Sequence, residues 1–522
     1  MNRPIRKVSI FLGVLFLALF VNLNVVQVVK GSDYRDDPNN RRVLLNEYAS
    51  PRGQIVVQGT AVAQSKSTNS KDELKYLRVY ENGPVYAPAT GYYSFIYGTS
   101  GIEDAENPIL SGDSSALFTT KLANILTGRN PRGGSVQLTL NKSAQLAAYN
   151  AMKSSNGKFK RGAVVALDPK TGAILALVST PSFDPNKLSS HNSATVTQAY
   201  STYNHDKNEP MLNRALRQNY PAGSIFKIID SAAALKRGIK PTDRVPAASS
   251  YWPLDPKRTS PCPATLSAPC VQNFQGEKCD PKNSKTATLA FALARSCNTA
   301  FAALAVDRLG AADLKAEAKA FGFDGPQLSV PLDVAPSTIG SNSVLNDPAA
   351  LAQTSFGQRD VRITPIQAAM LSASVANNGT LMQPYLVKSE LRPNLSVLNT
   401  TQPKQMSQVI DPDLDQELIK MMQGVVNNPE GTGGPAKVTG FNSQVVVGGK
   451  TGTADVGQTS ASKLAPDAWF TGFATVQGDP KIAVAVVMEN AGVSGNEATG
   501  GQAAGPVASE VMKAYLKSIG VS

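Results

Sequence analysis

Apolar positions in this chain fall into three kinds of run. The first is nearly unbroken, from about Val8 to Val29, with no polar side chain between Ile10 and Val21. As a helix that run rises about 33 Å, enough to cross a bilayer. Arg3, Arg6 and Lys7 precede it, which predicts a cytoplasmic N-terminus with the rest of the chain outside. A cleaved signal peptide starts the same way. Here the only small-residue site, near Val29-Lys30-Gly31, lies far from the apolar core, so the run reads as a single-pass anchor.

The second kind alternates with the period of a strand. Residues 31–50 are polar and read as a stalk; Pro51-Arg52-Gly53-Gln54-Ile55-Val56-Val57 then turns into a strand. Residues 64–73 read as a Ser/Lys/Asn-rich loop, and residues 75–112 carry short strand signals among aromatics and glycine. Val136–Leu140 alternates, and a helix is predicted over Ala144–Met152. Ser154-Ser155-Asn156-Gly157 breaks the pattern, placing a domain boundary at about 155–162. Gly162–Leu167, the turn Asp168–Gly172 and Ala173–Ser179 predict a hairpin. Val445–Gly448, Trp469–Thr475 and Ile482–Met488 predict three more strands.

The third kind is helical. It fills a long region with loops from about 210 to 425 and returns in a closing helix, Pro506–Ser518, expected to pack on the sheet. Strands at both ends with helices between predict one α/β (α+β) domain whose sheet is assembled from distant halves of the sequence.

Composition narrows the class. The 522 residues allow two to four domains, and 42% hydrophobic with 17% charged residues describes a folded body with an ample core. The net charge of +12 is spread along the chain without a dense basic block, which argues against nucleic acid and suits a solvated surface or an acidic polymer partner. Export permits disulfides. Cys262, Cys270 and Cys279 share one Pro-rich stretch, predicting one disulfide of open pairing, and Cys297 is expected to be buried and free. No cysteine spacing suits zinc and no Gly-rich phosphate loop occurs, so no metal and no cofactor is expected.

Candidate chemistry sits in three short motifs. Ser224-Ile-Phe-Lys227 follows the turn Tyr220–Gly223 and opens a helical stretch, so Ser224 is placed at a helix N-terminus with Lys227 on nearly the same face. Serine needs a base, and lysine can serve if burial or a nearby cation lowers its pKa. Ser296-Cys297-Asn298 lies in an Ala/Leu-rich helical stretch; its hydroxyl can pass a proton, and its amide can both donate to and accept from a substrate amide. Lys450-Thr451-Gly452-Thr453 ends an apolar strand: Lys450 and Thr451 suit a substrate carboxylate, Gly452 admits a close backbone, and the N–H groups of Thr453 and Ser224 can form an oxyanion hole. Each pattern has decoys, Ser155-x-x-Lys158, Ser67-x-Asn69, Ser494-x-Asn496 and Lys170-Thr171-Gly172; order, spacing and local context select the three. His191 and His205 lie in a loop-like region and support no Ser-His-Asp triad.

On these motifs the chain resembles class B penicillin-binding proteins of the actinobacterial PbpA type. The resemblance extends to Arg52-Gly53-Gln54-Ile55, Tyr97–Glu103, Gly162–Asn186, Asn213-Arg214-Ala215, Gly357-Gln358 with Thr364-Pro365, and Asp467–Gly472. It departs at Val57-Gln58-Gly59, where such proteins often carry Asp-Arg-Asn-Gly, and in having Cys297 at the variable position of the second motif. The resemblance implies an anchor at 1–30, a non-catalytic pedestal of the dimerisation type at 31–158, and at 159–522 a penicillin-recognising serine transpeptidase domain, an antiparallel sheet flanked by helices. It implies that Ser224 attacks the D-Ala–D-Ala bond of a peptidoglycan stem peptide, with Lys227 as base, Ser296 as relay, Lys450 completing the catalytic set, and Asn298, Thr451, Gly452 and Thr453 binding substrate. It further implies trapping by β-lactams and a membrane glycosyltransferase of the shape, elongation and division family as partner. Three rivals share the acylation chemistry. A class A β-lactamase would carry a Glu-x-x-Leu-Asn segment after the second motif, and none occurs. A penicillin sensor would need a cytoplasmic output domain, and only seven residues precede the apolar run. A D,D-carboxypeptidase differs only in using water as acceptor, which these residues leave open.

Overall fold

The computed structural model describes residues 3–30, 45, 47–69, 72–117, 132–153, 160–263, 269–283, 285–454, 458–459, 462–463, 465–493, 496–497 and 500–522. Most of the expected stalk, the boundary at Ser154–Gly157 and the decoys Ser155-x-x-Lys158 and Ser494-x-Asn496 lie wholly or partly outside those residues.

In chain order, the strands that build the two main sheets are β1 (Ile55–Val57), β2 (Thr60–Ser67), β3 (Tyr76–Tyr80), β4 (Ser135–Leu138), β5 (Gly162–Leu167), β6 (Ile174–Thr180), β7 (Val387–Leu391), β8 (Val397–Thr400), β9 (Val445–Ala454), β10 (Asp467–Val476) and β11 (Asp479–Met488). The helices that matter here are α1 (Arg3–Asn24), α2 (Lys142–Ala151), α3 (Lys227–Lys236), α4 (Leu289–Arg295), α5 (Asn298–Leu304), α6 (Gly310–Ala320), α7 (Pro365–Ala376), α8 (Pro412–Asn427) and α9 (Gly500–Ser518).

The catalytic sheet runs β9-β10-β11-β5-β6, antiparallel throughout. The period-2 rule divides its side chains cleanly. Val164, Ala166, Val484, Val486 and Met488 pack with α9 and α2, whereas Ala163, Val165, Leu167, Ala485 and Val487 join the larger core that contains α3 and α7. Both faces are covered, which explains why β5 and β11 read as near-continuous apolar runs. The closing helix packs on the sheet as expected, beginning six residues earlier than Pro506.

The second sheet runs β8-β7-β4-β1-β2-β3. Its first two strands come from residues 387–400, far beyond the expected boundary, so the pedestal sheet is completed by the catalytic half of the chain: Val387 faces Leu138 and Leu391 faces Ser135. β2 reaches Ser67, so the expected loop at 64–73 begins later. Two signature segments meet inside this unit. Glu103 is fully buried and accepts from Arg52 Nε and Arg78 Nε, both at 2.6 Å, and from the Tyr80 hydroxyl at 3.0 Å. Burial alone would raise its pKa; Arg78 and Arg52 overcome that and hold it below the usual value. Arg52-Gly-x-Ile and the Glu ending Tyr97–Glu103 are thus two halves of one buried ionic cluster.

α1 continues through a π-helical turn at Val25–Val29, giving a 27-residue exposed helix whose most apolar 18 residues have a mean hydropathy of 2.3, long enough to span a membrane. The cysteines correct the sequence reading. Two disulfides form, Cys262–Cys270 and Cys279–Cys297, so Cys297 is buried but not free. The expectation of a free Cys297 fails because its partner lies on a loop whose approach to α5 no local pattern encodes.

Candidate active site

The three motifs converge. Gly223–Phe226 forms a tight helical turn that runs straight into α3, which puts Ser224 at the mouth of the helix and Lys227 at its first residue. That turn is wedged against β9. Gly223 has φ +54°, and a Cβ there would meet Thr453 O at 2.9 Å and Ala454 Cβ at 3.1 Å, so only glycine lets the serine turn lie against the strand. Gly223 N donates to Gly357 O at 2.9 Å, and Trp469 Nε1 donates to Pro221 O at 3.1 Å. The Gly357-Gln358 and Asp467–Gly472 signatures are therefore braces for the serine turn.

The second motif differs from its expected helical setting. Ser296 occupies the left-handed junction between α4 and α5, with φ +61°, and Asn298 opens α5. This break turns both side chains, and the Ser296 carbonyl, toward Lys227. The third motif lies wholly inside β9, which continues through Ala454 rather than ending at Gly448.

The resulting network centres on two fully buried amines, Lys227 and Lys450. Lys227 Nζ lies 2.7 Å from Ser296 O, 2.7 Å from Asn298 Oδ1, 3.1 Å from Ser224 Oγ and 3.3 Å from Ser296 Oγ. The two shortest contacts are to oxygens that can only accept. A neutral amine has two N–H bonds to give them, and its lone pair is then left for the Ser224 hydroxyl proton. Burial holds the Lys227 pKa well below the ordinary lysine range; the neighbouring Lys450 adds to this, and Asp230 opposes it. Lys450 Nζ donates to Ser296 Oγ at 2.8 Å and to Thr451 O at 2.9 Å, and burial pushes its pKa down to about 7. Ser296 Oγ thus links the two amines.

The cleft above these groups has a volume of about 550 Å³ and is lined by Ser224, Ser296, Asn298, Thr451, Gly452 and Thr453 together with Asn273, Gln358 and Thr432. A second cleft of about 600 Å³ lies at the seam of the two units; its charged lining is Asp104, Arg217 and Asp333, and none of the three motifs reaches it. Six of the eight site residues expected from the sequence line the first cleft, Lys227 and Lys450 reach it through Ser224 and Ser296, and Lys170 of the decoy motif is instead paired with Asp479 in a surface turn. Missed were Thr432, whose hydroxyl meets that of Thr451 at 2.6 Å, and Asp230, fully buried three residues after Lys227 on α3. The run Gly431-Thr432-Gly433-Gly434 was the available signal for the first. Among the described residues no group of acidic, histidine or cysteine side chains could hold a metal.

An antiparallel sheet whose edge strand carries Lys-Thr-Gly-Thr, set against a helix headed by Ser-x-x-Lys, defines a penicillin-recognising serine enzyme. Residues 162–513 match the penicillin binding protein transpeptidase domain, and residues 52–136 match the penicillin binding protein A dimerisation domain. The chain belongs to the penicillin-binding protein transpeptidase family, as a class B member of the PbpA type. It is 41% identical over 517 residues to the peptidoglycan D,D-transpeptidase PbpA of Mycolicibacterium smegmatis, covering 99% of both chains, and equally to that of Mycobacterium tuberculosis. The solved structure of M. tuberculosis penicillin-binding protein A as its penicillin G acyl-enzyme complex superposes with a TM-score of 0.79 at 40% identity, over 90% of this chain and all of that one. The ceftriaxone acyl-enzyme gives a TM-score of 0.81 over the same shares, again at 40% identity.

Proposed function

We infer that this protein is a peptidoglycan D,D-transpeptidase acting in cell-wall synthesis, acylated at Ser224 by stem peptides and by β-lactams. The observation that carries the residue assignment is the Lys227 contact set, in which two acceptor-only oxygens leave the amine lone pair facing Ser224 Oγ. Ser224 Oγ attacks the carbonyl carbon of the penultimate D-Ala while Lys227 takes its proton. Lys450 and Ser296 pass a proton to the departing nitrogen of the terminal D-Ala as the peptide bond breaks. The ester left on Ser224 then meets an amine of a neighbouring strand; the amide forms, and Ser224 recovers its proton. The N–H groups of Ser224 and Thr453 face the developing oxyanion, a placement supported by the approach of the serine turn to Thr453. Lys450 and Thr451 bind the terminal carboxylate, Gly452 admits the peptide backbone, and Asn298 holds its amide.

Arg3, Arg6 and Lys7 at the head of the anchor support a catalytic unit outside the membrane, and the two disulfides suit an oxidising compartment. A membrane glycosyltransferase of the shape, elongation and division family is the proposed partner of anchor and pedestal. The test of the chemistry is intact-mass spectrometry of the protein mixed with benzylpenicillin. A one-to-one adduct is expected on the wild type and none on Ser224→Ala; an adduct that survives the substitution would move the nucleophile elsewhere.

A further inference from the structure

A hydroxyl that the chemistry above does not use stands beside the third motif. Thr432 lies in the turn Gly431-Thr432-Gly433-Gly434 that follows α8, half-buried, and it lines the cleft together with Thr451 and Thr453. Three elements fix its backbone. Thr432 N donates to Ala294 O of α4 at 3.1 Å, just ahead of Ser296. Gly433 N donates to Val425 O of α8 at 2.9 Å. A Cβ on Gly501, at the start of α9, would run into Thr432 O. The turn therefore presents one side chain, at a set place, between the helix that leads to the second motif and the strand that carries the third. There Thr432 Oγ1 meets Thr451 Oγ1 at 2.6 Å, and it also lies 3.4 Å from Ala294 O.

Hydrogen counting gives this pair two settings. A hydroxyl has one hydrogen to donate and two lone pairs with which to accept. In the first setting Thr432 donates to Ala294 O and Thr451 donates to Thr432, so Thr451 has no hydrogen left for the cleft. In the second, Thr432 donates to Thr451, and the Thr451 hydrogen is free to turn into the cleft. A carboxylate can only accept, so it selects the second setting. The bond given up, to Ala294 O at 3.4 Å, is a long one, and the change costs little. The chain of two hydroxyls and a carboxylate is stronger than its separate parts, because each hydrogen bond polarises the next.

We propose that Thr432 is a positioning residue for carboxylate recognition: by donating to Thr451 Oγ1 it turns the Thr451 hydroxyl hydrogen toward the terminal carboxylate of a stem peptide, or toward the corresponding carboxylate of a β-lactam. The pair thereby favours ligands that end in an anion over neutral ones of the same shape. A neutral ester asks less of it, since hydrogen bonds to uncharged acceptors are roughly half as strong as those to ions. The inference rests on the reading of Thr451 as a carboxylate ligand.

The test compares the second-order rate constants of acylation by benzylpenicillin and by its methyl ester. The proteins are wild type, Thr432→Val, Thr432→Ser, Thr451→Val and the double variant Thr432→Val/Thr451→Val, with thermal melts as a check on folding. Thr432→Val keeps the shape of the side chain and removes the hydroxyl. It should slow benzylpenicillin roughly tenfold, the size expected for losing support of a hydrogen bond to a charged group, and slow the ester much less. Thr432→Ser, which keeps the hydroxyl, should stay close to wild type. In the Thr451→Val background the substitution at Thr432 should have no further effect, because the two hydroxyls act as one unit. Equal slowing of acid and ester by Thr432→Val would mark a packing defect and overturn the proposal. So would an unchanged benzylpenicillin rate, a Thr432→Ser variant as slow as Thr432→Val, or additive effects in the double variant. A wild type that acylates but does not favour the acid over the ester would instead remove the carboxylate role of Lys450 and Thr451, and a wild type acylated by neither would remove the assignment of Ser224; the proposal falls with either.

Discussion

Lys450 and Lys227 are amines closed off from water within a few ångströms of one hydroxyl, and their protonation governs both chemistry and stability. The native value of about 7 for Lys450 lies below the unfolded lysine value of about 10.4. Between those pH values the unfolded chain binds a proton that the native state does not, so stability rises with pH across that window. Wild type should gain melting temperature relative to Lys450→Met as pH rises from about 7 to about 10, with the difference flat below that range. Parallel curves throughout would show that Lys450 is charged in the native protein. The residue types at this site were legible in the sequence because the chemistry needs few of them and orders them along the chain. Their charge states were not, since burial and the meeting of Lys227 with Lys450 at Ser296 depend on segments that only tertiary packing brings together.

Among elements, the α4–α5 junction is held from outside by the Cys279–Cys297 disulfide, which ties a surface loop to the residue between Ser296 and Asn298. The bridge closes a sequence separation of 18, so removing it as Cys279→Ser/Cys297→Ser should cost about 3 kcal/mol of stability. Acylation should slow as well, because the left-handed turn at Ser296 loses its tether. Chemical denaturation and adduct formation measure the two effects, and an unchanged acylation rate would show the junction to be rigid by itself. The docking of α9 on β9 is just as close. A Cβ on Gly500 would meet Gly452 O at 2.2 Å and Trp469 O at 2.3 Å, both backbone atoms. Gly500→Ala should therefore displace β9 from the serine turn and weaken penicillin acylation at least tenfold, consistent with the sensitivity of such sites to displacements of about 1 Å; wild-type kinetics would show that the helix start yields instead. The near-continuous apolar runs of β5 and β11 made these strands readable at once. The break at Ser296 was not, because Ala/Leu-rich sequence on both sides has helical composition whether or not the helix is interrupted.

Across the whole molecule, pedestal and catalytic unit follow one another in sequence but share a sheet in space. The pairing of β7 with β4 joins Val387 to Leu138, and no local signal records a register between positions so far apart. The sequence reading therefore drew a boundary near 158 and assigned everything beyond it to one unit, whereas the second sheet draws on both sides. Residues 159–522 expressed alone would leave β7 and β8 as a ribbon with an unpaired edge, the arrangement that invites aggregation. That fragment should be less soluble and melt lower than residues 45–522, as differential scanning calorimetry and light scattering would measure. Equal behaviour would mean that the two strands contribute little.

The same pairing imposes an order of assembly. A chain emerging N-terminus first presents β1 to β4 early, but the pedestal sheet stays open on one side until Val387–Thr400 has followed. The supporting unit is thus completed by the part it supports, and a chain interrupted before that point carries an unfinished pedestal.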